Sequence, residues 1–310
     1  HGDEMTYSNI VDISLSAIRS PKTFAMGGSL KTLTQLIKSL FANGEQGFAY
    51  DPNDLTTMWQ DKAKLLPVTG AGQTVWHILD KSGNNNHAFA TSSASRPILR
   101  QLPILGTELV VNGGFSAGLA NWLTQGTAVS SVSAGVLSIT AQGSTSGVYQ
   151  DIPTVVGRTY ELDYRSTGNL SVILYANSGF SPPIPNSGTP RTTFVATSSV
   201  TRLYAYCNGS NTGTIDNISV KEVTGYRTDQ NYLKFDAVDD KLITNLPTQL
   251  TGCTVIRSVP NVGTQILTNQ TIPTPYNDNK DHCGLIVINR ALTASETSQI
   301  TKLFNKAAGV

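Results

Sequence analysis

Short stretches of alternating apolar and polar residues recur through the middle of the chain. In Thr159–Tyr164, the side chains of Tyr160, Leu162 and Tyr164 are separated by acidic residues, and this alternation predicts a half-buried strand. Comparable runs make eight predicted strands in about 115 residues: Glu108–Val111, Val136–Thr140, Gly147–Ile152, Thr159–Tyr164, Leu170–Tyr175, Arg191–Ala196, Thr201–Tyr206 and Thr214–Val220. Such a density of short strands favours a two-sheet sandwich of jelly-roll type over residues 108–223.

Residues 30–40 carry apolar positions at three- and four-residue intervals, the spacing of an amphipathic helix. Ser29 is the predicted N-cap, and Asn43-Gly44 is typical of a helix C-terminus. A helix this short is not stable alone, so it either packs on its own domain or serves for oligomerisation or docking. We therefore assign residues 1–46 as an N-terminal docking or oligomerisation segment, within which Met5 is a candidate native start.

The sequence on either side of the predicted jelly roll has a different pattern. Residues 47–107 show turn signals about every ten residues between short apolar pieces, which indicates all-β structure. Residues 224–310 continue in the same manner and end in a predicted helix that Thr293 and Glu296 open as a capping box. We expect both flanks to form one sandwich into which residues 108–223 are inserted, because insertion is tolerated where the termini of the inserted unit lie close together.

The composition excludes several classes of protein. The 310 residues carry 22 Lys+Arg against 21 Asp+Glu, and charged residues make up only 14%, against about 25% in a typical soluble domain. No basic block could release counterions from a phosphate backbone, so no nucleic-acid partner is expected. No apolar run approaches the ~18 residues of a membrane-spanning helix, and no signal peptide is visible, so no membrane insertion is expected. The 39% hydrophobic content is sufficient for packed cores.

The residue types that usually carry catalysis do not form a recognisable arrangement. The four histidines lie outside any zinc-protease or triad motif, and G-x-S-x-G is absent. Asp236, Asp239 and Asp240 are interpreted as one tight turn rather than as the two carboxylates of a glycosidase. No catalytic residue is therefore assigned, and the protein is expected not to be an enzyme.

The three cysteines do not form a disulfide framework, because their number is odd and no pair has C-x-x-C spacing. Cys207, Cys253 and Cys283 are expected to be buried small hydrophobes of a protein made in a reducing cytoplasm. A bridge between Cys253 and Cys283 is the alternative.

Motifs at both ends of the predicted jelly roll resemble those of a known family. Glu108–Phe115 reads ELVVNGGF, Asn121-Trp122 follows, and Ile215–Val220 reads IDNISV. These stretches resemble the first and last strands of carbohydrate-binding modules of the galactose-binding-like jelly-roll class. The resemblance covers residues 108–223 and implies carbohydrate binding, although the same fold also serves protein-binding roles.

A carbohydrate site needs aromatic faces for sugar rings and planar polar groups for hydroxyls. The predicted ligand-binding residues are Trp122, Tyr149, Gln150, Tyr175, Arg202, Tyr206 and Asn208. For an aromatic residue on an alternating strand, the alternative is a place in the core. The resemblance also implies a structural calcium ion near the termini, with Asp216 at the position of an acidic ligand and Ser116 where a second acidic ligand is expected.

The flanks resemble a second family. Four stretches occur in the order found in concanavalin-like (laminin-G-like) domains of bacteriophage tail and receptor-binding proteins: Gly47–Asp61, Asp80–Ala88, Leu233–Leu242 and Val287–Glu296. Residues 241–283 depart from that family because they are shorter and richer in proline than a full second half. Strands are therefore expected to be missing there.

Together the two resemblances imply an all-β protein of two sandwiches with the function of a phage virion protein. It would be a tail-fibre-like receptor-binding subunit that binds host cell-surface carbohydrate for attachment, with other virion proteins as partners. The expected assembly is a homotrimer, located in the virion after assembly in the host cytoplasm. The alternatives are a structural capsid or tail decoration protein and a polysaccharide depolymerase.

Overall fold

The computed structural model describes residues 31–143, 145–184, 191–236 and 238–310. Within them the chain is all-β apart from two α-helices, α1 (Leu33–Leu40) and α2 (Ala294–Ala308), and a 3-10 turn at Leu55–Thr57. Neither α-helix has the length and apolar character needed to cross a bilayer. The predicted fold class, all-β with sandwiches and a helix towards each end of the chain, is confirmed.

The strands are numbered in chain order. The first group is β1 (Gly47–Tyr50), β2 (Met58–Trp59), β3 (His77–Ile78), β4 (Ala88–Phe89) and β5 (Ile98–Glu108). The second is β6 (Leu123–Gln125), β7 (Val129–Ser133), β8 (Val136–Thr140), β9 (Ser146–Pro153), β10 (Thr159–Gly168), β11 (Ser171–Ala176), β12 (Pro183–Ile184), β13 (Thr192–Val195) and β14 (Val200–Cys207). The third is β15 (Thr212–Lys234), β16 (Leu242–Thr244), β17 (Leu250–Val259), β18 (Gly263–Ile272), β19 (Tyr276–Asp278) and β20 (Gly284–Ile288).

Residues 108–223 form a sandwich of two antiparallel sheets, here termed the central sandwich. The junction sheet has the order β13-β10-β15-β8-β7, and the distal sheet has the order β12-β11-β14-β9-β6. Leu162 and Ile215 of the junction sheet and Val148 and Leu203 of the distal sheet are fully buried in one cluster. The alternation read from the sequence therefore places one side of every main strand in this shared core.

The flanking segments form the second sandwich, termed the flanking sandwich. Its two sheets have the orders β1-β20-β17-β18 and β19-β16-β4-β3-β2. In β20, Leu285 and Val287 enter the cluster between the sheets, whereas Ile286 and Ile288 enter a second cluster beneath α1 and α2. Because this strand is buried on both faces, it is apolar without interruption.

The strand β15 is 23 residues long and connects the two sandwiches. Its pairing with β5 extends from the Glu108–Lys221 pair to the Ile98–Lys234 pair, with three interruptions of the register. Leu233 lies in the core of the flanking sandwich, and Val220 lies in the core of the central sandwich. A two-stranded ribbon with bulges therefore crosses the junction and belongs to both units.

Helix α1 packs on the flanking sandwich, as one of its two predicted interpretations requires. Leu36, Ile37 and Leu40 are buried in the same cluster as the α2 residue Phe304. The N-cap predicted at Ser29 lies outside the described residues, and Thr32 caps the helix instead through a capping box with Gln35. The predicted closure at Asn43-Gly44 is also wrong, because the helix ends at Leu40. The rest of the assigned docking segment, residues 1–30, lies outside the described residues.

Other local predictions have mixed outcomes. The capping box of Thr293 and Glu296 is confirmed at the start of α2. The strand predicted at Glu108–Val111 is wrong, since β5 ends at Glu108. The Glu108 carboxylate accepts the N–H groups of Leu109 and Val110, and the Leu109 N–H also donates to the Val220 carbonyl oxygen of β15. The cysteines are buried as predicted and all three are free, so the alternative bridge does not form.

Candidate functional site

The outer face of the distal sheet, on the side away from the core, is rich in aromatic side chains. Strands β9 and β14 run antiparallel with Tyr149 beside Tyr204 and Asp151 beside Arg202. Strand β11 then places Tyr175 next to Arg202. Because side chains on one face recur every second residue, Tyr206 continues the same row along β14. Three strands thus bring residues from distant parts of the sequence to one surface.

Phe180 lies across this surface from the loop between β11 and β12. Its ring meets Tyr149, Tyr175 and Tyr204 edge to face, with centroid distances of 5.5, 5.6 and 5.1 Å. Tyr204 in turn stacks on Tyr206 at 5.1 Å and an interplanar angle of 12°. These five rings, Tyr149, Tyr175, Phe180, Tyr204 and Tyr206, are termed the aromatic face. Aromatic pairs in such geometries add about 0.5–1.5 kcal/mol beyond the area that they bury.

Arg202 lies among the rings of the aromatic face and pairs there with Asp151. Its guanidinium lies 4.0 Å from the ring centroid of Tyr149 and 4.7 Å from that of Phe180. The same group forms a two-point pair with Asp151, Nε to Oδ1 at 2.7 Å and Nη2 to Oδ2 at 2.9 Å. This pairing lowers the pKa of Asp151 below its ordinary value of 3.8. Both side chains are therefore charged and held in one geometry at neutral pH.

The rings of the aromatic face differ in exposure. Tyr149, Tyr175, Phe180 and Tyr206 are partly exposed, whereas Tyr204 is only 3% exposed and forms the floor beneath Phe180. Burial, with smaller contributions from Tyr175 and Tyr206, raises the pKa of Tyr204 to about 12. Its hydroxyl has no hydrogen-bond partner among the described residues. The face therefore offers open ring surface together with one unused donor at its base.

The structure brings four of the predicted ligand residues together on this face: Tyr149, Tyr175, Arg202 and Tyr206. Their shared position follows from the registers of β9, β11 and β14. Sequence reasoning missed Phe180 as a member of the face, because its loop position next to glycine and before two prolines gives no periodicity. Tyr204 also lies on the outer face, where its neighbours bury it.

The prediction for Trp122 is contradicted by its burial. Trp122 is 5% exposed, and its ring packs on Phe115 at a centroid distance of 5.3 Å. Its Nε1–H donates to the Asn112 carbonyl oxygen at 3.1 Å. Both its apolar surface and its polar group are thus used inside the central sandwich. Trp122 closes the end of the core and presents no open ring to a ligand.

Gln150 likewise has a structural position rather than the predicted binding position. It is 7% exposed, because it points to the side of β9 opposite Tyr149. Its Oε1 accepts the Val111 N–H at 2.8 Å, and its Nε2 donates to the carbonyl oxygens of Val111 and Asn121 at 2.9 and 3.0 Å. Both polar atoms of the amide therefore form hydrogen bonds that hold the loop of residues 109–122 in place. No polar atom of it remains directed to solvent.

Asn208 lies outside the aromatic face, in the exposed loop after β14. Its Oδ1 accepts the hydroxyl of Thr145 at 2.5 Å, which joins this loop to the one before β9. The predicted contact of Asn208 with a ligand stays a prediction.

Asp216 lies on the junction sheet, where its carboxylate accepts the backbone N–H and the Nδ2–H of Asn217 at 2.6 and 2.9 Å. Calcium takes six to eight oxygen ligands. Among the described residues, the one group of three His, Cys, Asp or Glu side chains with ligand atoms close together is Asp236, Asp239 and Asp240, which does not include Asp216. The calcium ion at Asp216 stays a prediction.

The acidic group at 236–240 is the tight turn that its sequence indicates. Asp236 Oδ1 accepts the N–H groups of Val238, Asp239 and Asp240. Burial, with the charges of Asp236 and Asp239, raises the pKa of Asp240 to about 6. The carboxylates are therefore engaged with the turn's own backbone and with one another.

Comparison with known proteins gives distant similarities. No protein-family model and no curated protein matches the chain. A solved carbohydrate-binding module of family 4 is similar at 16% identity and a TM-score of 0.25, over 41% of this chain and 87% of the other. An N-terminal tandem of two family 22 modules from Paenibacillus barcinonensis is similar at 10% identity and a TM-score of 0.29, over 64% of this chain and 95% of the other. Similarity at this level assigns neither a family nor a ligand.

Proposed function

We propose that the protein binds carbohydrate through the aromatic face of the distal sheet. The observation that supports this is the presence of three partly exposed tyrosine rings, Tyr149, Tyr175 and Tyr206, on one open sheet surface. The C–H side of a sugar ring packs on such rings, and hydroxyl groups need nearby polar partners. Arg202, Asp151 and the tyrosine hydroxyls provide these partners at the same surface.

The face is held in place before any ligand arrives. Its tyrosines stand on paired strands, Phe180 contacts three rings at once, and Arg202 is fixed by Asp151. Ligand binding therefore orders few side chains, which lowers its entropic cost. A single shallow face of this kind binds weakly, and several copies in one assembly raise the overall avidity.

The biological role that we propose is attachment of a bacteriophage to its host. The protein would be a tail-fibre-like virion subunit, a homotrimer bound to other virion proteins, that presents the aromatic face to cell-surface glycans. The support for this role is the resemblance of the flanking stretches to domains of phage tail proteins, together with the advantage of multivalent presentation. Locating the chain in purified particles by immunogold labelling tests it, and absence from virions would contradict it.

We propose binding without hydrolysis. Among the described residues, the carboxylate that is paired with the aromatic face is Asp151, and both of its oxygens accept hydrogen bonds from Arg202. A glycosidase of the usual kind needs two carboxylates on opposite sides of the scissile bond. Release of reducing ends from a bound polysaccharide would contradict this part of the proposal.

The test is a glycan array followed by affinity measurements on the best-binding oligosaccharide. We expect Tyr175→Ala and Tyr206→Ala each to weaken binding about tenfold, equivalent to ~1.4 kcal/mol. Tyr226→Ala is the matched control, because Tyr226 is a 51% exposed tyrosine on β15, away from the face. Equal affinities for all three variants and the wild type, or an array without any bound glycan, would contradict the proposed function.

A further inference from the structure

The outer face of the junction sheet contains charged side chains and is turned towards the flanking sandwich. On β10, Tyr160 and Leu162 belong to the central core, so Glu161, Asp163 and Arg165 lie on the other side. A cavity of about 620 Å³ lies here, and both sandwiches contribute to its walls. Arg165 and Arg191 come from the central sandwich, and Arg257, Gln265, Lys280 and Asp281 come from the flanking sandwich. We term this space the junction cavity.

Two of the cations around the junction cavity have no acidic partner among the residues that the structure describes. Three ion pairs neutralise most of the charges there: Arg191 with Asp163 at 3.5 Å, Arg257 with Asp278 at 3.0 Å, and Lys234 with Asp281 at 3.2 Å. Arg165 and Lys280 are exposed, and within the described parts of the chain neither has an acidic partner within 4.0 Å. Two cations at the rim of the cavity therefore have no ion-pair partner in the part of the chain that the structure describes, although the carboxylates of Glu161 and Asp216 lie on the same face of the junction sheet.

Two buried guanidinium groups in the cavity wall also have unused donors. Arg257 is 7% exposed, and its Nε has no hydrogen-bond partner among the described residues, although its Nη2 binds Asp278. The side chain of Arg191 is 13% exposed, and its Nη1 also has no partner in the described chain. Most buried polar groups in folded proteins are paired, so two unpaired guanidinium N–H groups around one cavity require an explanation.

We propose that the junction cavity is a second binding site and that its ligand is an acidic saccharide. The planar N–H groups of arginine match the geometry of a carboxylate, and the exposed cations Arg165 and Lys280 lie at the rim with no ion-pair partner among the described residues. The volume lies within the ~300–1,000 Å³ of ordinary small-molecule sites, larger than an inorganic anion requires. Gln265, exposed at the wall, provides an amide for sugar hydroxyls.

This site is separate from the aromatic face, because the two lie on opposite sheets of the central sandwich. Recognition of the anion follows from the charges and unused donors of the cavity itself. The choice of a saccharide as the carrier of the carboxylate rests on the proposed function. The two unpaired cations at the rim predict a preference for acidic over neutral sugars that weakens as salt is added.

The test is calorimetric titration of the full chain with tetragalacturonate and with its fully methyl-esterified form, in which an added methyl group removes the charge of each carboxyl. We expect the acid to bind at least about tenfold more tightly than the ester. Arg165→Glu and Lys280→Glu, both at exposed positions, should remove most of that preference. Lys302→Glu is the matched control, because Lys302 is an exposed residue of α2 outside the cavity and its replacement changes the net charge equally.

Each outcome has a defined meaning. Loss of the preference in the two rim variants, with Lys302→Glu unchanged, supports the site. Equal binding of acid and ester, or an equal loss in Lys302→Glu, overturns it. Inorganic phosphate that binds as tightly as tetragalacturonate overturns the saccharide assignment. Tyr206→Ala distinguishes the two proposals, because it should weaken binding at the aromatic face and leave the preference for acid intact.

Discussion

The two outer faces of the central sandwich differ sharply although both sheets share one core. The distal sheet presents the partly exposed rings of the aromatic face to solvent. The junction sheet presents Glu161, Asp163 and Arg165, and the flanking sandwich approaches it closely enough for Glu161 to be only 8% exposed. The inward residues are set by packing in the same way on both sheets. The outward residues are not constrained by packing in the core. On the distal sheet they are aromatic and face solvent, and on the junction sheet they are charged and face the flanking sandwich.

The pKa of a carboxyl group is also shifted in opposite directions on the two faces. On the open face, the Arg202 guanidinium lowers the pKa of Asp151. On the covered face, burial raises the pKa of Glu161, and the charge of Arg191 offsets this only in part. Open placement with a two-point partner therefore favours the ionised acid, whereas placement under a second sandwich disfavours it.

The largest expected effect tests whether the two sheets share a core. Leu162→Ala on the junction sheet and Leu203→Ala on the distal sheet each remove a fully buried side chain from the same cluster. Each should lower the free energy of unfolding by ~2–5 kcal/mol. Urea denaturation followed by circular dichroism measures the loss. A cost below ~1 kcal/mol for either variant would mean that its sheet is not part of a single packed core.

A smaller loss of stability is expected from Arg202→Ala on the open face. The substitution removes a two-point ion pair with Asp151 and a cation over two aromatic rings. Hydrogen bonds to charged groups are each worth about 1.5–3 kcal/mol when buried, and partial exposure of Asp151 reduces this to ~1–2 kcal/mol in total. Arg202→Lys should retain only part of the stability that Arg202→Ala loses, because lysine cannot form the planar two-point pair with Asp151. Full restoration by lysine would show that charge alone suffices.

The pH dependence of stability should have opposite signs on the two faces. The lowered pKa of Asp151 means that its contribution is complete above the ordinary value of 3.8 and is lost as pH falls through the lowered pKa. The raised pKa of Glu161 means that its contribution is complete below 4.5 and is lost as pH rises through the raised pKa. Towards neutral pH, Asp151→Asn should therefore become less stable than the wild type, whereas Glu161→Gln should become more stable than it. Both differences should be smallest in acid, where the wild-type carboxyl groups are protonated. Thermal unfolding measured across pH checks both, and trends of the same sign would contradict the comparison.

The smallest effect is expected at the margin of the open face. Leu123 on β6 pairs with Tyr149 in register and is 59% exposed. Leu123→Ser should change the free energy of unfolding by no more than ~0.5 kcal/mol, as for other surface positions. A loss above ~1 kcal/mol in a denaturation experiment would show that this edge is covered in solution.

Local alternation allowed the strands and their faces to be predicted from the sequence. Tyr149, Tyr175, Arg202 and Tyr206 were named as candidates one by one, and the registers of β9, β11 and β14 bring them to one surface. Trp122 and Gln150 were misplaced for different reasons: Trp122 is held against Phe115 by the turns of a loop, and Gln150 lies one residue from Tyr149 on the opposite face. Candidate residues chosen by type alone cannot be divided between the two faces of a strand. That division requires knowing which alternate positions point into the core.

Long-range pairing accounts for what the sequence left open. The ribbon of β5 and β15 joins residues more than a hundred positions apart, and its three register shifts have no local signal. Phe180 reaches the aromatic face from a loop, and the junction cavity forms only where the two sandwiches meet. These features depend on how units pack together rather than on the period of any one segment.

The most direct test of the central claim is a ¹H–¹³C aromatic NMR titration with the best-binding oligosaccharide of the array. If carbohydrate binds at the aromatic face, the ring signals of Tyr149, Tyr175, Phe180 and Tyr206 shift together with a single dissociation constant. The signals of Tyr226 and Tyr232 on β15 stay in place. Shifts confined to tyrosines outside the aromatic face, with its four exposed rings unperturbed at saturation, would contradict it.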